Sequence, residues 1–360
     1  MEVSVENSRS LSKKKGFLFW IIALIIILAG TVIGAIAVGS TYIEPGEVYK
    51  ILLNKLTNGA LFSSVGEVMT QNIIWEIRFP RVLLGAICGA GLAICGVLMQ
   101  CVTKNPIAEP YILGISSGAS CGAVSIIVLG GVSSLGINSI TSGAFVGSIV
   151  SGVLVFAIGT QMGKTTSTTR LVLTGMAIST IFSALTNLFI YSAKNSNQAK
   201  NALFWTVGSL GGAKWEVLLI PSIVLILVII VSFIMSKSLD ILLLGDDSAI
   251  ILGINVKLIK SIILILATLL TSTLVAITGA IGFIGLVVPH ICRTIAGSDH
   301  KKLIVLSSLI GAIFLIVSDV LARGLFPPIE IPIGIITALI GGPFFLYLIS
   351  KKNYSFGGRD

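Results

Sequence analysis

The chain has 360 residues, 55% of them hydrophobic and 11% charged, with a mean hydropathy of +1.04 and a net charge of +9. A soluble fold of this length needs far more polar surface, so the composition excludes a soluble enzyme and specifies an all-α polytopic membrane protein surrounded by membrane lipid. The positive charge does not indicate nucleic acid as a partner, because the lysines and arginines are scattered between apolar runs and form no stripe.

Residues 1–16 are polar and carry Lys13-Lys14-Lys15, and about 22 apolar residues follow from Phe17 to Val38. That run is too long for the core of a cleavable signal, and Gly39-Ser40-Thr41 is a poor cleavage site. The pattern predicts a short cytoplasmic tail and a retained first span, with Trp20 at the inner interface. About ten spans are expected in all: 17–38, 80–102, 108–130, 140–162, 170–192, 217–236, 259–281, 283–297, 303–322 and 332–350. They form one transmembrane domain over 17–350, followed by a cytoplasmic tail at 351–360. With the N-terminus inside, eight cations fall outside (Lys50, Lys55, Arg78, Arg81, Lys194, Lys200, Lys214 and Arg323) and twice as many inside. The positive-inside rule therefore puts both termini in the cytoplasm. Tyr42, Trp75, Tyr191, Trp205 and Trp215 then gather at the outer boundary.

The second span opens on Arg78-Phe79-Pro80-Arg81 and carries Gly85, Gly89, Gly91 and Gly96, spacing that lets another helix approach closely. It ends at Lys104-Asn105-Pro106, where the proline lacks an N–H and biases its predecessor out of helix. Gly279 to Gly285, followed by Pro289, echoes Gly89 to Gly96 followed by Pro106. This weak symmetry predicts an inverted repeat of spans 2–5 and 7–10.

The segment 237–258 links spans six and seven in the cytoplasm. Asp246, Asp247 and Ser248 offer an N-cap, Ala249, Leu252 and Gly253 share one face, and Gly253 can end the helix. The expected product is a short surface helix whose outward face is small, suited to a soluble partner.

Groups for chemistry are scarce. His300 lies in a loop, Ser298 to Lys302, and is expected to be solvated; His290 is expected to be packed and bonded to backbone. Five cysteines (Cys88, Cys95, Cys101, Cys121 and Cys292) sit within apolar runs and read as buried small hydrophobes. No HExxH pattern supports an intramembrane hydrolase, no metal site is expected, and no cofactor is called for. Only Glu109 and Asp319 are carboxylates within spans, and Asp319 is one helical turn from Arg323. An ion-coupled carrier, the competing class, would need more. No GxxxxGK[ST] pattern occurs, so ATP hydrolysis is expected on a different chain.

The stretches RFPR, GAGLAICGVLMQCVTKNPIAEPYILGISSGA, WTVGSL (205–210), GDDSAIILGINV (245–256), GAIGFIGLVVPHICR (279–293), SDVLAR (318–323) and EIPIG (330–334) resemble the FecCD permeases of ABC importers for iron-siderophores, haem and vitamin B12. The chain departs only slightly, with Phe79 and Ile107 where leucine is usual. The resemblance implies a type II ABC importer permease that is not itself an enzyme. Its implied partners are ABC ATPase subunits, an extracytoplasmic substrate-binding protein, and a second permease copy or paralogue. By the same resemblance, Arg78, Arg81 and Arg323 dock the binding protein. Gly245, Asp246, Ala249, Leu252 and Gly253 belong to the coupling loop for the ATPase, and Thr168 and Thr169 lie where an inner gate forms. An iron(III)-siderophore is the leading cargo, with haem and cobalamin as alternatives.

Overall fold

The computed structural model describes residues 2–39, 41–60, 66–130, 138–160 and 168–350, so the expected C-terminal tail at 351–360 lies outside it. Among these residues every regular element is helical: α1 (Glu2–Ala37), α2 (Pro45–Leu56), α3 (Val68–Asn72), α4 (Phe79–Thr103), α5 (Ile115–Leu129), α6 (Asn138–Thr160), α7 (Thr168–Tyr191), α8 (Ser196–Val207), α9 (Trp215–Ile234), α10 (Ser236–Leu242), α11 (Asp246–Ile251), α12 (Val256–Thr278), α13 (Ile284–Ala296), α14 (His300–Gly324) and α15 (Ile333–Ser350). A π-helical stretch, Ile73–Arg78, joins α3 to α4, and a 3-10 turn, Pro110–Leu113, precedes α5. Eight of the helical segments are long and apolar enough to cross a membrane, and α5 and α13 are shorter apolar helices.

Helix α4 is the axis of the bundle, buried along nearly all its length from Val82 to Thr103. Lipid tails are as apolar as leucine, so burial alone does not drive helices together inside a bilayer; close packing through small residues does. Gly89 of α4 lies against the Gly311 carbonyl of α14, and Gly96 against the Gly285 carbonyl of α13. Gly118 and Gly122 of α5 meet Gly147 and Gly143 of α6 in the same way. Helix α1 is peripheral, with Phe19, Ile22, Ile25 and Ile26 exposed where lipid would lie.

One expected span, 108–130, is broken, and another, 283–297, is as short as its bounds imply. At about 1.5 Å per residue, α5 and α13 are only about 22 and 20 Å long, short of a ~30 Å hydrocarbon core. Span 108–130 is interrupted because Pro110 lacks an N–H group and Gly114 turns left-handed at φ +68°. Before α13, Phe283 adopts φ +70°. The two segments meet inside the bundle. The Tyr111 hydroxyl donates to the Ile281 carbonyl at 2.7 Å and accepts from the Ile281 N–H at 3.0 Å, while the Phe283 N–H points at Glu109 Oε2 at 3.4 Å.

The chain runs so that α1 ends beside Arg78 and Arg323, while α10 and α11 lie at the opposite end of α4. Phe17, early in the apolar part of α1, has the Lys302 ammonium 5.8 Å from its ring centre, which places it at the α11 end. The bundle thus has an Arg81 end and a Lys104 end.

Candidate functional site

At the Arg81 end, the guanidinium of Arg81 bridges two carboxylates. Its Nε donates to Asp319 Oδ1 at 3.0 Å, and its Nη1 lies 2.9 and 3.0 Å from the two Glu330 oxygens. Arg323 approaches Asp319 from the same helix, with Nε 2.9 Å from Oδ2. The Asp319 side chain is 3% exposed, whereas that of Glu330 is 48% exposed. One face of this network is therefore buried and the other is open.

Arg78 and Arg323 do not point outward as expected. Arg78 is buried and donates to the carbonyls of Ile36 (2.7 Å), Ala37 (3.1 Å) and Thr41 (2.6 Å). Arg323 donates to Val38 (2.7 Å) and Ala35 (3.0 Å). The last carbonyls of a helix have no partner of their own, and α1 ends at Ala37 inside the protein. Two guanidiniums fill that need, each charge-assisted bond contributing about 1.5–3 kcal/mol. Of the three, Arg81 is the one paired with an exposed carboxylate, Glu330.

Nearby, Trp75, Phe79 and Trp215 form an aromatic trio with ring centres 5.0–5.5 Å apart, and Trp215 Nε1 donates to the Trp75 carbonyl at 2.9 Å. A phenyl ring at position 79 closes this trio, which accounts for the departure from leucine. Beside it a cavity of about 1000 Å³ is lined by Gln198, Asn201, Phe204, Trp205, Ser209 and Glu330, among others.

The Lys104 end carries α10 and α11. The N-cap of α11 is Gly245, with no side-chain cap bond, in place of the expected Asp246, Asp247 or Ser248. Asp246 is engaged elsewhere: its oxygens lie 2.8 Å from Lys104 Nζ and 2.6 Å from Lys260 Nζ. Burial opposes ionisation of this carboxyl, but the two ammonium groups outweigh it and hold Asp246 below its ordinary value, so it is charged near neutral pH. Helix α11 ends at Leu252, and Gly253 takes φ +82°. The Gly253 and Ile254 N–H groups then bond the Ile250 and Ala249 carbonyls, a Schellman closure that favours glycine.

The outward face of α11 is not the one expected. Ala249 is fully buried, while Ile250, Ile251 and Leu252 are 57%, 85% and 57% exposed. Asp246 sets this rotation by turning the first residue of the helix toward the two lysines.

His300 also departs from expectation. It is buried, not solvated, with Nδ1 2.7 Å from Asp240 Oδ1. Asp299 accepts from the Lys301 and Lys302 N–H groups and caps α14, which turns the next residue inward against α10. Arg293 Nη2 donates to Gln100 Oε1 at 2.9 Å, and Gln100 in turn bonds the Gly285 carbonyl. His290 lies edge-on to Phe344, ring centres 6.0 Å apart. All five cysteines are buried free thiols.

Thr168 and Thr169, expected in a loop, form the first turn of α7, and Thr169 is exposed. Ser167, just before them, lies outside the described residues. Sequence reasoning assigned no role to Glu330, Lys104, Lys260 or Asp240. Lys260 did leave a signal, as a cation inside the expected span 259–281.

The profile of the FecCD transport family matches residues 23–351. The chain is 39% identical over 284 residues to the cobalamin import system permease protein BtuC of Halobacterium salinarum, covering 78% of this chain and 74% of that one. It is 40% identical over 279 residues to the Fe(3+) dicitrate transport system permease protein FecD of Escherichia coli, covering 78% and 85%. A solved structure of a proposed metal-chelate type ABC transporter, in an inward-facing conformation, superposes with a TM-score of 0.79 at 29% identity, over 92% of this chain and 98% of that chain. A family match over nearly the whole bundle, together with these relatives, shows that the chain belongs to the FecCD transport family and is an integral-membrane permease of the ABC importer kind.

Proposed function

We propose that this permease carries an iron(III)-siderophore complex into a bacterial cell, through a path completed by a second copy or a paralogue. The Lys104 end faces the cytoplasm and takes an ABC ATPase on α11. The Arg81 end faces outward and takes a substrate-binding protein. The observation that carries this reading is the exposed apolar triplet Ile250-Ile251-Leu252, held on a short helix at the end opposite the arginine–carboxylate network. Three adjacent exposed aliphatic side chains beside charged Asp247 and Lys257 suit a protein cleft better than lipid. Thr168 and Thr169, at the same end as α11, narrow the path there without placing charge in it.

For the binding protein, docking rests on Arg81. A partner glutamate can compete with Glu330 for this fork, since that pair is half in water and individually weak. Arg78 and Arg323 support the surface from beneath. An iron chelate is put ahead of haem and cobalamin because three ferric citrate permeases stand among the relatives, beside one cobalamin and one hemin permease.

Two measurements test the assignment. Ile251→Asp is expected to reduce co-purification of the ATPase about tenfold while leaving the permease's own thermal stability unchanged; undiminished capture would remove α11 as the docking element. Arg81→Gln is expected to reduce stimulation of ATP hydrolysis by the binding protein about fivefold. Arg78→Gln should instead lower thermal stability. Equal stimulation in wild type and Arg81→Gln would move the docking site elsewhere. Uptake of radiolabelled ferric siderophore, haem and cobalamin in matched cells then decides the cargo.

A further inference from the structure

The cluster Asp246, Lys104 and Lys260 joins α11 to the end of α4 and the start of α12. Helix α11 has six residues and is flanked by Gly245 at φ +116° and Gly253 at φ +82°. Glycine at both ends leaves the backbone a compliant tether. Apart from buried Ala249, the firm attachment of α11 to the bundle is the Asp246 carboxylate.

Its two partners are placed to receive movement. Lys104 closes α4 in a left-handed conformation at φ +49°, immediately before the Asn105-Pro106 break. Asn105 Oδ1 accepts the Ile107 N–H at 3.1 Å, which makes the turn compact, and the chain then leads to Tyr111 and its two bonds to Ile281. Lys260 lies in the second turn of α12 with its side chain 4% exposed, so it has little freedom to follow Asp246 without moving the helix.

We propose that Asp246, Lys104 and Lys260 are positioning residues, an ionic strut that carries displacement of α11 into the last turn of α4 and the start of α12. This rests on the reading of α11 as the ATPase docking element. Opposite charges in close contact suit a strut, because they resist both tension and compression along its short length, while the glycines on either side allow α11 to tilt.

The experiment uses the complex of the permease with the ATPase it captures. Spin labels are placed at Tyr191→Cys and Phe326→Cys, both exposed at the Arg81 end, and the five native cysteines are buried and poorly reactive. The distance between the labels is measured with and without a non-hydrolysable ATP analogue. Lys104→Met removes a partly exposed lysine and spares the fold. Asp246→Asn with Lys260→Met removes both charges of the buried pair together, so no buried cation is left alone.

In the unsubstituted background the analogue is expected to change the label distance. In both strut variants the change should fall to less than half, with the ATPase retained at normal stoichiometry. A full change in either variant overturns the strut, as does no change in the unsubstituted complex. Loss of ATPase from the variants also overturns it, because the cluster would then serve docking. If the unsubstituted permease captures no ATPase, the docking assignment fails, and the strut fails with it.

Discussion

Replacing Gly96 with leucine is expected to leave no folded, monodisperse protein. A Cβ at this position would overlap the Gly285 carbonyl, its carbon and its Cα, all of them backbone. No rotamer relieves a clash with main chain, so α4 and α13 would have to separate. Once apart, they open the contacts on which the Tyr111–Ile281 and Gln100–Gly285 bonds depend. Forced overpacking with room to adjust costs about 1–3 kcal/mol, and here there is no such room. Gly16, whose Cβ would meet nothing, is the control. Detergent-extracted yield and the size-exclusion profile read the outcome. A monodisperse Gly96→Leu protein with wild-type thermal stability would show that the two helices do not pack as described.

Asp319→Ala is expected to cost about 3–5 kcal/mol, the usual penalty for breaking a buried ion pair from one side. Asp319 is nearly inaccessible and lies between Arg81 and Arg323. Its removal leaves two guanidiniums facing each other, with Arg78 close enough to Arg323 to add to the repulsion. Arg81 keeps Glu330, but that pair is half exposed and compensates little. Arg323 keeps its bonds to Ala35 and Val38, and these now carry a cation without a counter-charge. The damage should therefore spread to the end of α1. Unfolding by titration with a denaturing detergent gives the loss, and a change below about 1 kcal/mol would mean that water already solvates this network.

The two substitutions act on different parts of one design. Gly96 permits contact where the hydrophobic effect offers nothing, since both sides of the choice are apolar. Asp319 and its arginines fasten the peripheral helix α1 to the core at one end. At the other end Asp246 does the same for α11. Ionic links at the ends and glycine contacts between them are what a helical bundle can use in lipid.

The amino-acid sequence by itself determined the ten apolar helical segments and roughly where each lies, but not the short helices α2, α3 and α10. Run length and breaker residues are local: a ~30 Å core needs about 20 apolar residues, and Lys104-Asn105-Pro106 stands directly after the last residue of α4. The pair Asp319 and Arg323 was legible for the same reason, being four residues apart on one helix. Tertiary structure decided what the charged and rotated side chains do. Arg78 reads as an outward anchor until the orphan carbonyls of Ile36 and Ala37, some forty positions earlier, are brought beside it. Arg81 finds Asp319 and Glu330 from the far end of the chain. His300 becomes buried because Asp240 of another helix meets it, and Ala249 turns inward because Lys104 and Lys260 hold Asp246. In a helix of six residues no hydrophobic period is long enough to set a face, so the partner of one carboxylate sets it instead.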